Sequence, residues 1–201
     1  MDKSLVNIVL LFLSSSCWAT GKAYAWQEYP PVEVFVGDVV VRKGHGTWTQ
    51  YFIDCSSREK RFSHVGIVVS NETQCVIVHA DANEWTGIGC VRLESWQGFY
   101  ADALECAVFR YVGMAVASRS FATKGMELLG VPFDGAFDME ETNRLYCTEF
   151  VREVINDVLK TNFVGWTSVC KHEVIAIDDV YRQGFRRIYD SHHPELCTNV
   201  K

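Results

Sequence analysis

The sequence predicts an α+β fold in which helices pack against one antiparallel β-sheet or barrel. Runs rich in β-branched residues come first along the chain, and the strongest amphipathic runs follow them. The length of 201 residues suits a single domain with a sizeable core. The predicted strands are Val34–Arg42, Phe62–Val69, Gln74–Ala80, Gly89–Leu93 and Leu104–Val112, and the predicted helices are Ala115–Leu129 and Tyr146–Lys160.

Composition and turn residues define these elements in order. The second strand, Phe62–Val69, is rich in valine and isoleucine. The polar run Ser70–Thr73 is predicted to be the hairpin loop that leads into the third strand. Gly130 closes the first helix, because glycine is favoured just past a helix end. The polar and aromatic segment Trp48–Lys60 is predicted to be a long loop that borders a functional cleft.

The second predicted helix carries Cys147 at its start. The apolar residues of this helix recur at helical spacing and are Phe150, Val151, Val154, Ile155, Val158 and Leu159. Cys147 lies on this apolar stripe and in the first turn, where free N–H groups and the helix dipole favour an anion. We expect this position to lower the pKa of the thiol and to make Cys147 a nucleophile. The alternative is a small core residue or one half of a disulfide.

His64 is the candidate base. A thiolate nucleophile needs a group that takes its proton and returns it to a leaving group, and histidine does so near neutral pH. His64 stands near the start of the second predicted strand. The alternative for this residue is a hydrogen-bonded core histidine.

Five segments, in this order, resemble the motifs of one family. The segments are Gly37–Arg42, Phe62–Val69, Gly130–Asp134, Tyr146–Val151 and Ile177–Tyr181, the last without the proline common in the family. Together they resemble the YiiX-like, circularly permuted branch of the NlpC/P60 papain-like cysteine hydrolases, over roughly residues 34–189. His64 precedes Cys147, which is the permuted order. A catalytic site tolerates that order because geometry and role define it.

The resemblance implies a permuted papain-like fold and a third polar residue that orients the histidine. This residue belongs to the strand after His64. If Val69 pairs with Gln74, antiparallel counting places His64 opposite His79 on one face of the sheet. His79 is therefore predicted to orient the base. A slip of one residue would turn it to the other face. The alternatives in that case are Asp81 and Glu84.

The resemblance also implies a reaction. Cys147 would form an acyl-enzyme, and its backbone N–H, supported by Tyr146, would hold the oxyanion. No metal or organic cofactor is expected. Peptidoglycan peptides are the implied substrate of this amidase or peptidase.

Two other functions remain open at the level of sequence. Lipid-directed, LRAT-like members of the permuted group carry an "NCEHF" box around the nucleophile, whereas this chain has Tyr146-Cys147-Thr148-Glu149-Phe150. A lipid acyl hydrolase or acyltransferase that acts on membrane lipid therefore ranks second. A non-enzymatic, disulfide-stapled binding domain with a bridged Cys147 ranks third.

Residues 1–25 resemble a secretory signal peptide. Lys3 precedes an apolar run from Leu5 to Leu13, and Ala23-Tyr24-Ala25 gives a small-x-small cleavage pattern. The apolar run is too short to span a membrane as a helix. We therefore expect a periplasmic or secreted protein whose catalytic domain covers residues 26–201.

The cysteines are expected to form disulfides. Eight cysteines are present, and six remain once Cys17 is removed with the signal and Cys147 is assigned as nucleophile. An even set in an oxidising compartment is expected to be mainly bridged. Cys75 and Cys90 flank a predicted strand pair and are one candidate bridge.

Charge excludes one class of partner. The formal net charge is −6 at pH 7, and the basic residues are scattered along the chain. A protein that binds nucleic acid usually concentrates basic residues on one face. No nucleic-acid partner is expected.

Overall fold

The structure is a computed structural model and describes residues 29–169 and 172–194. The predicted signal peptide lies outside these ranges, as do Cys17, Cys170 and Cys197. The strands are β1 (Val39–Lys43), β2 (His64–Ser70), β3 (Val76–Ala82), β4 (Gly89–Ser95), β5 (Glu105–Tyr111), β6 (Thr167–Val169), β7 (His172–Val174) and β8 (Phe185–Asp190). The helices are α1 (Thr49–Cys55), α2 (Trp96–Tyr100), α3 (Ala115–Glu127), α4 (Cys147–Leu159) and α5 (Ile177–Val180).

A six-stranded antiparallel sheet in the order β4-β3-β2-β1-β5-β8 organises the fold, and β6 and β7 form a separate hairpin. This confirms the predicted α+β class. Among the described residues, no helix has both the length and the apolarity needed to cross a bilayer.

The sheet is the middle layer between two cores. Val39 and Val41 of β1 belong to the core beneath α3 and α4, whereas Val40 belongs to the core beneath α2. Successive side chains of a strand point to opposite faces, so a run of three valines serves both cores. The helices therefore cover both faces of the sheet, and the cleft described below lies at the ends of its strands.

Helix α4 agrees closely with its prediction. It is one residue shorter at each end than predicted, and its apolar stripe is buried, with Phe150, Val151, Val154 and Ile155 at 0% exposure. A carboxylate oxygen of Glu149 accepts the backbone N–H of Tyr146 at 3.2 Å, which caps the first turn. This local hydrogen bond fixes the start of the helix at Cys147.

Several segments differ from the prediction, which also lacked α2, α5, β6 and β7. The segment predicted as a loop, Trp48–Lys60, contains helix α1, which buries Phe52 and Ile53. It has no side-chain cap at its start, so the sequence carries no start signal. Strand β8 was not predicted either. It pairs with β5 at the edge of the sheet.

The register of the β2–β3 hairpin differs from the predicted one by two residues. Ile67 pairs with Val78, and the ladder is irregular between Val68 and Ser70. The predicted pairing of His64 with His79 is therefore wrong. Because side-chain direction repeats every two residues, an even shift leaves His79 on the predicted face and diagonal to His64.

The predicted disulfides do not form in the described part of the chain. Cys55, Cys75, Cys90, Cys106 and Cys147 are free thiols. Cys75 precedes β3, whereas Cys90 pairs with Asp81 near the other end of that strand. Six residues of strand separate the two positions by about 20 Å. A disulfide needs Cα atoms within about 7 Å, so this candidate bridge is wrong.

Candidate active site

A cleft of about 780 Å³ opens where β2 begins and β3 ends. Cys147, His64, Asp81 and Arg42 line it. Five aromatic residues also line it: Trp48, Phe52, Trp85, Phe133 and Phe137. The segment predicted to border a functional cleft thus does so through the residues of α1 and its approach.

Cys147 enters the cleft from the α4 side and is 2% exposed. Burial raises the pKa of its thiol to about 12, and the backbone amides of Val65 and Thr148 only partly oppose this rise. The predicted lowering of the thiol pKa is therefore wrong for the free protein. Desolvation of a fully enclosed sulfur outweighs the favourable position at the helix start.

His64 stands at the first position of β2 and contacts the ring of Phe99 on the α2 side of the sheet. Its Nε2 lies 2.8 Å from Nδ1 of His79, a hydrogen-bond distance. The side chain is partly open to the cleft, yet the atoms around the ring desolvate it. Burial, together with the charge of Arg42, lowers the pKa of His64 well below 6.5.

His79 lies between His64 and a carboxylate. It is fully buried, and its Nε2 lies 3.1 Å from Oε2 of Glu94, an ion-pair distance. The contact with His79 lowers the pKa of Glu94, so this carboxylate is charged. Sequence reasoning missed Glu94. The pairing of His79 with Arg92 places Glu94 diagonal to His79 on the same face, and that register was not readable from the sequence.

The two alternative orienters bind other groups. Oδ2 of Asp81 accepts from Arg92 at 2.6 Å, and a carboxylate oxygen of Glu84 accepts from the Thr47 N–H at 3.3 Å. Burial alone would raise the pKa of Asp81, but His64 and Arg92 together lower it to about 2. Asp81 is thus a charge beside the site, and His79 is the residue hydrogen-bonded to His64.

Cys147 and His64 share their surroundings although they belong to different layers. Cys147 packs in the core beneath α4, and His64 contacts Phe99 of α2 on the opposite face. Both line the cleft, and the charges of Arg42 and Asp81 act on both. The cleft at the strand ends is thus lined by residues from both faces of the sheet.

The side chain of Tyr146 is part of the core beneath α3 and α4. Its hydroxyl accepts the Ile175 N–H at 3.1 Å, and the side chain is 1% exposed and absent from the cleft lining. On the other side of Cys147, the Thr148 hydroxyl donates to the Ile175 carbonyl at 2.7 Å. These two bonds tether the start of α4 to residue 175. The structure does not bring the Tyr146 hydroxyl to the predicted oxyanion position.

His64, His79 and Asp81 are close enough to one another to face one metal ion. Ligand atoms of His64, His79 and Asp81 lie within 4.8 Å of one another. Arg92 already binds Asp81, and the charges of Arg42 and Arg92 lower the pKa of His64. The same positive charges oppose a bound cation, so the donor set fits a metal poorly.

The fold, with its histidine before its cysteine, is of the permuted papain-like class. The chain belongs to the family of permuted papain-like amidases of the YaeF/YiiX type, C92, which it matches over residues 33–172. The fold is similar to the crystal structure of metalloprotein YiiX from Escherichia coli O157:H7, with a TM-score of 0.63 and 16% identity. The match covers 76% of this chain and 95% of that one. No curated protein matches the sequence.

Proposed function

We propose that the protein is a cysteine amidase in which Cys147 attacks the carbonyl and His64 moves the proton. One observation carries this proposal: a free cysteine at the first position of α4 shares a cleft with a histidine already held by a second histidine. Membership of an amidase family supports the same reaction.

The hydrogen bonds assign the protons along the chain of side chains. Nε2 of His64 is hydrogen-bonded to His79, which leaves Nδ1 of His64 as the nitrogen that can accept a proton from the thiol. A neutral base with a free Nδ1 carries its proton on Nε2 and donates it to Nδ1 of His79. His79 then carries its own proton on Nε2, the nitrogen that faces Glu94. Glu94 thus sets the tautomer of both histidines.

The resting pair is a neutral thiol and a neutral imidazole, given the raised pKa of Cys147 and the lowered pKa of His64. The proton passes from Sγ to Nδ1 as sulfur attacks the carbonyl carbon, and the Cys147 N–H stabilises the oxyanion. The imidazolium then protonates the leaving amine as the C–N bond breaks. Water, deprotonated by His64, hydrolyses the thioester and releases the acid and the thiol.

For substrate and location we propose peptide amides of peptidoglycan, cleaved outside the cytoplasm. Support for export comes from residues 1–25, with their apolar run and small-x-small pattern. The free cysteines of the described residues do not support export. The binding-domain alternative has lost its premise, because Cys147 is not bridged in the part of the chain described.

A lipid acyl hydrolase is the second candidate, and one observation favours it. Trp85 and Ile88, in the loop between β3 and β4, are 89% and 77% exposed, and Trp85 lines the cleft. Exposed apolar side chains beside a cleft often contact an apolar partner. An acyl chain or a membrane surface would satisfy them.

Incubation of the protein with peptidoglycan fragments and, separately, with phospholipid vesicles tests this proposal. We expect mass spectrometry to show a new carboxylic acid and a new amine from the peptides. EDTA should leave the rate unchanged, because no step requires a metal. Fatty acid release from the vesicles alone would favour the lipid hydrolase, and loss of activity with EDTA would contradict the cysteine mechanism.

Replacement of His79 by alanine should lower kcat roughly 10²- to 10⁴-fold, because His64 loses the acceptor that holds its tautomer. His79→Asn should retain part of the activity, since its amide oxygen still accepts from Nε2 of His64. The measurement is kcat and KM for both variants, with KM expected near the wild-type value. A wild-type kcat in His79→Ala would show that His79 has no role in orienting the base.

A further inference from the structure

Arg42 places a positive charge directly beside the proposed catalytic pair. It is the Cα partner of His64 in the β1–β2 ladder and lines the cleft together with Cys147. Its Nη1 lies 3.5 Å from the point that a Cβ on Gly44 would occupy, so the guanidinium reaches the turn after β1, which also lines the cleft. A substrate whose carbonyl lies at Cys147 would pass close to this group.

The guanidinium of Arg42 has no carboxylate partner among the described residues. Its Nε is buried without a hydrogen bond, and the guanidinium lies over the Phe99 ring, whose centroid is 5.3 Å away. Four other arginines are paired with carboxylates: Arg61 with Asp190 at 2.9 Å, Arg92 with Asp81 at 2.6 Å, Arg110 with Asp38 at 2.7 Å and Arg187 with Asp190 at 2.6 Å. A charged side chain with a buried nitrogen that makes no hydrogen bond, and with no anion beside it, indicates a partner supplied from outside the chain.

The cleft itself does not supply that partner. Asp81 is bound by Arg92, and Glu84 accepts the Thr47 N–H. Asp102 also lines the cleft but forms no ion pair with Arg42. Arginine binds carboxylates with two parallel N–H donors, a geometry that is strong and directional.

We propose that Arg42 forms an anion subsite and that the substrate is an amide bearing a carboxylate close to the scissile bond. This rests on the proposed amidase function and narrows its substrate class. The aromatic walls around Trp48 and Phe137 would contact the remaining, less polar part of the substrate. A phosphate would satisfy the same guanidinium, as would the oxyanion of the reaction itself, and the experiment separates these.

The test compares N-acetyl-alanyl-alanine with its C-terminal carboxamide. The wild type should favour the carboxylate in kcat/KM by about 10- to 100-fold, and Arg42→Gln should bring this ratio close to one. Arg186→Gln, the same change at an exposed arginine of β8, should leave the ratio at its wild-type value. A lower kcat/KM for Arg42→Gln with an unchanged ratio would overturn the proposal and assign Arg42 to the oxyanion or to the catalytic pair.

Calorimetry on Cys147→Ala measures binding independently of hydrolysis. The carboxylate should bind more tightly than the carboxamide, and the difference should vanish in the Cys147→Ala/Arg42→Gln double variant. If neither probe is hydrolysed by the wild type and this difference persists, the amidase function fails and the anion subsite stands. Equal binding of the probes, or no binding of either, overturns the subsite. Tighter binding of sn-glycerol 3-phosphate than of the carboxylate overturns the carboxylate assignment in favour of phosphate.

Discussion

Alanine in place of Cys147 should abolish amide hydrolysis, with a loss on the order of 10⁶-fold in kcat, because the thiol that forms the acyl-enzyme is removed. The fold should persist. The thiol is buried at 2% exposure, and removal of one sulfur atom costs about 1 kcal/mol, which shifts the thermal midpoint by a few degrees. Mass spectrometry of the products and a thermal melt measure the two effects.

Cys75→Ala is the matched control. It removes the same atom from a buried cysteine of the core beneath α2, on the other side of the sheet. This variant should keep its activity while showing a similar small loss of stability. Hydrolysis at the wild-type rate by Cys147→Ala would refute the nucleophile assignment, whatever the control shows.

His64→Ala should lower kcat by about 10³- to 10⁶-fold with a folded protein, because Cys147 then lacks a base and the leaving amine lacks its acid. The exposed His172 of β7 provides the control, and His172→Ala should be as active as the wild type. An unchanged kcat in His64→Ala would show that the thiol loses its proton by another route.

The pH profile of the wild type gives a second view of His64. Burial and the charges of Arg42, His79 and Arg92 lower its pKa, and Asp81 alone opposes them among the groups that act most strongly. The base is active when neutral, so the rate should fall as pH falls through this lowered pKa. The acid limb of kcat/KM should therefore lie below pH 6.5. An acid limb above that value would mean that a different group controls the reaction.

Local patterns were sufficient to predict the parts of the fold and site that depend on one element. Helix α4 follows from its apolar spacing to within one residue at each end. His64 follows from a β-branched strand. The side of the sheet occupied by His79 was predicted as well, because it depends only on whether the hairpin shift is odd or even.

Contacts between different elements could not be predicted from local sequence patterns. Glu94 meets His79 through the β3–β4 register, and Arg42 is recognised only once the carboxylates that line the cleft are seen not to pair with it. The thiol pKa of Cys147 was predicted in the wrong direction, since the helix start is visible in sequence and the depth of burial is not. Helix α1 was missed because it is short and lacks a capping side chain.

The two cores have a consequence for how such a site can change over time. The proposed nucleophile belongs to the layer of α4, whereas the proposed base, the histidine bonded to it and Phe99 belong to the layer of α2. Each half can drift in sequence while its own packing is preserved, provided that the strand ends keep their positions. Chain order is then free to vary, because no covalent continuity between the halves is required, and new termini can be opened in the connections without dismantling either one.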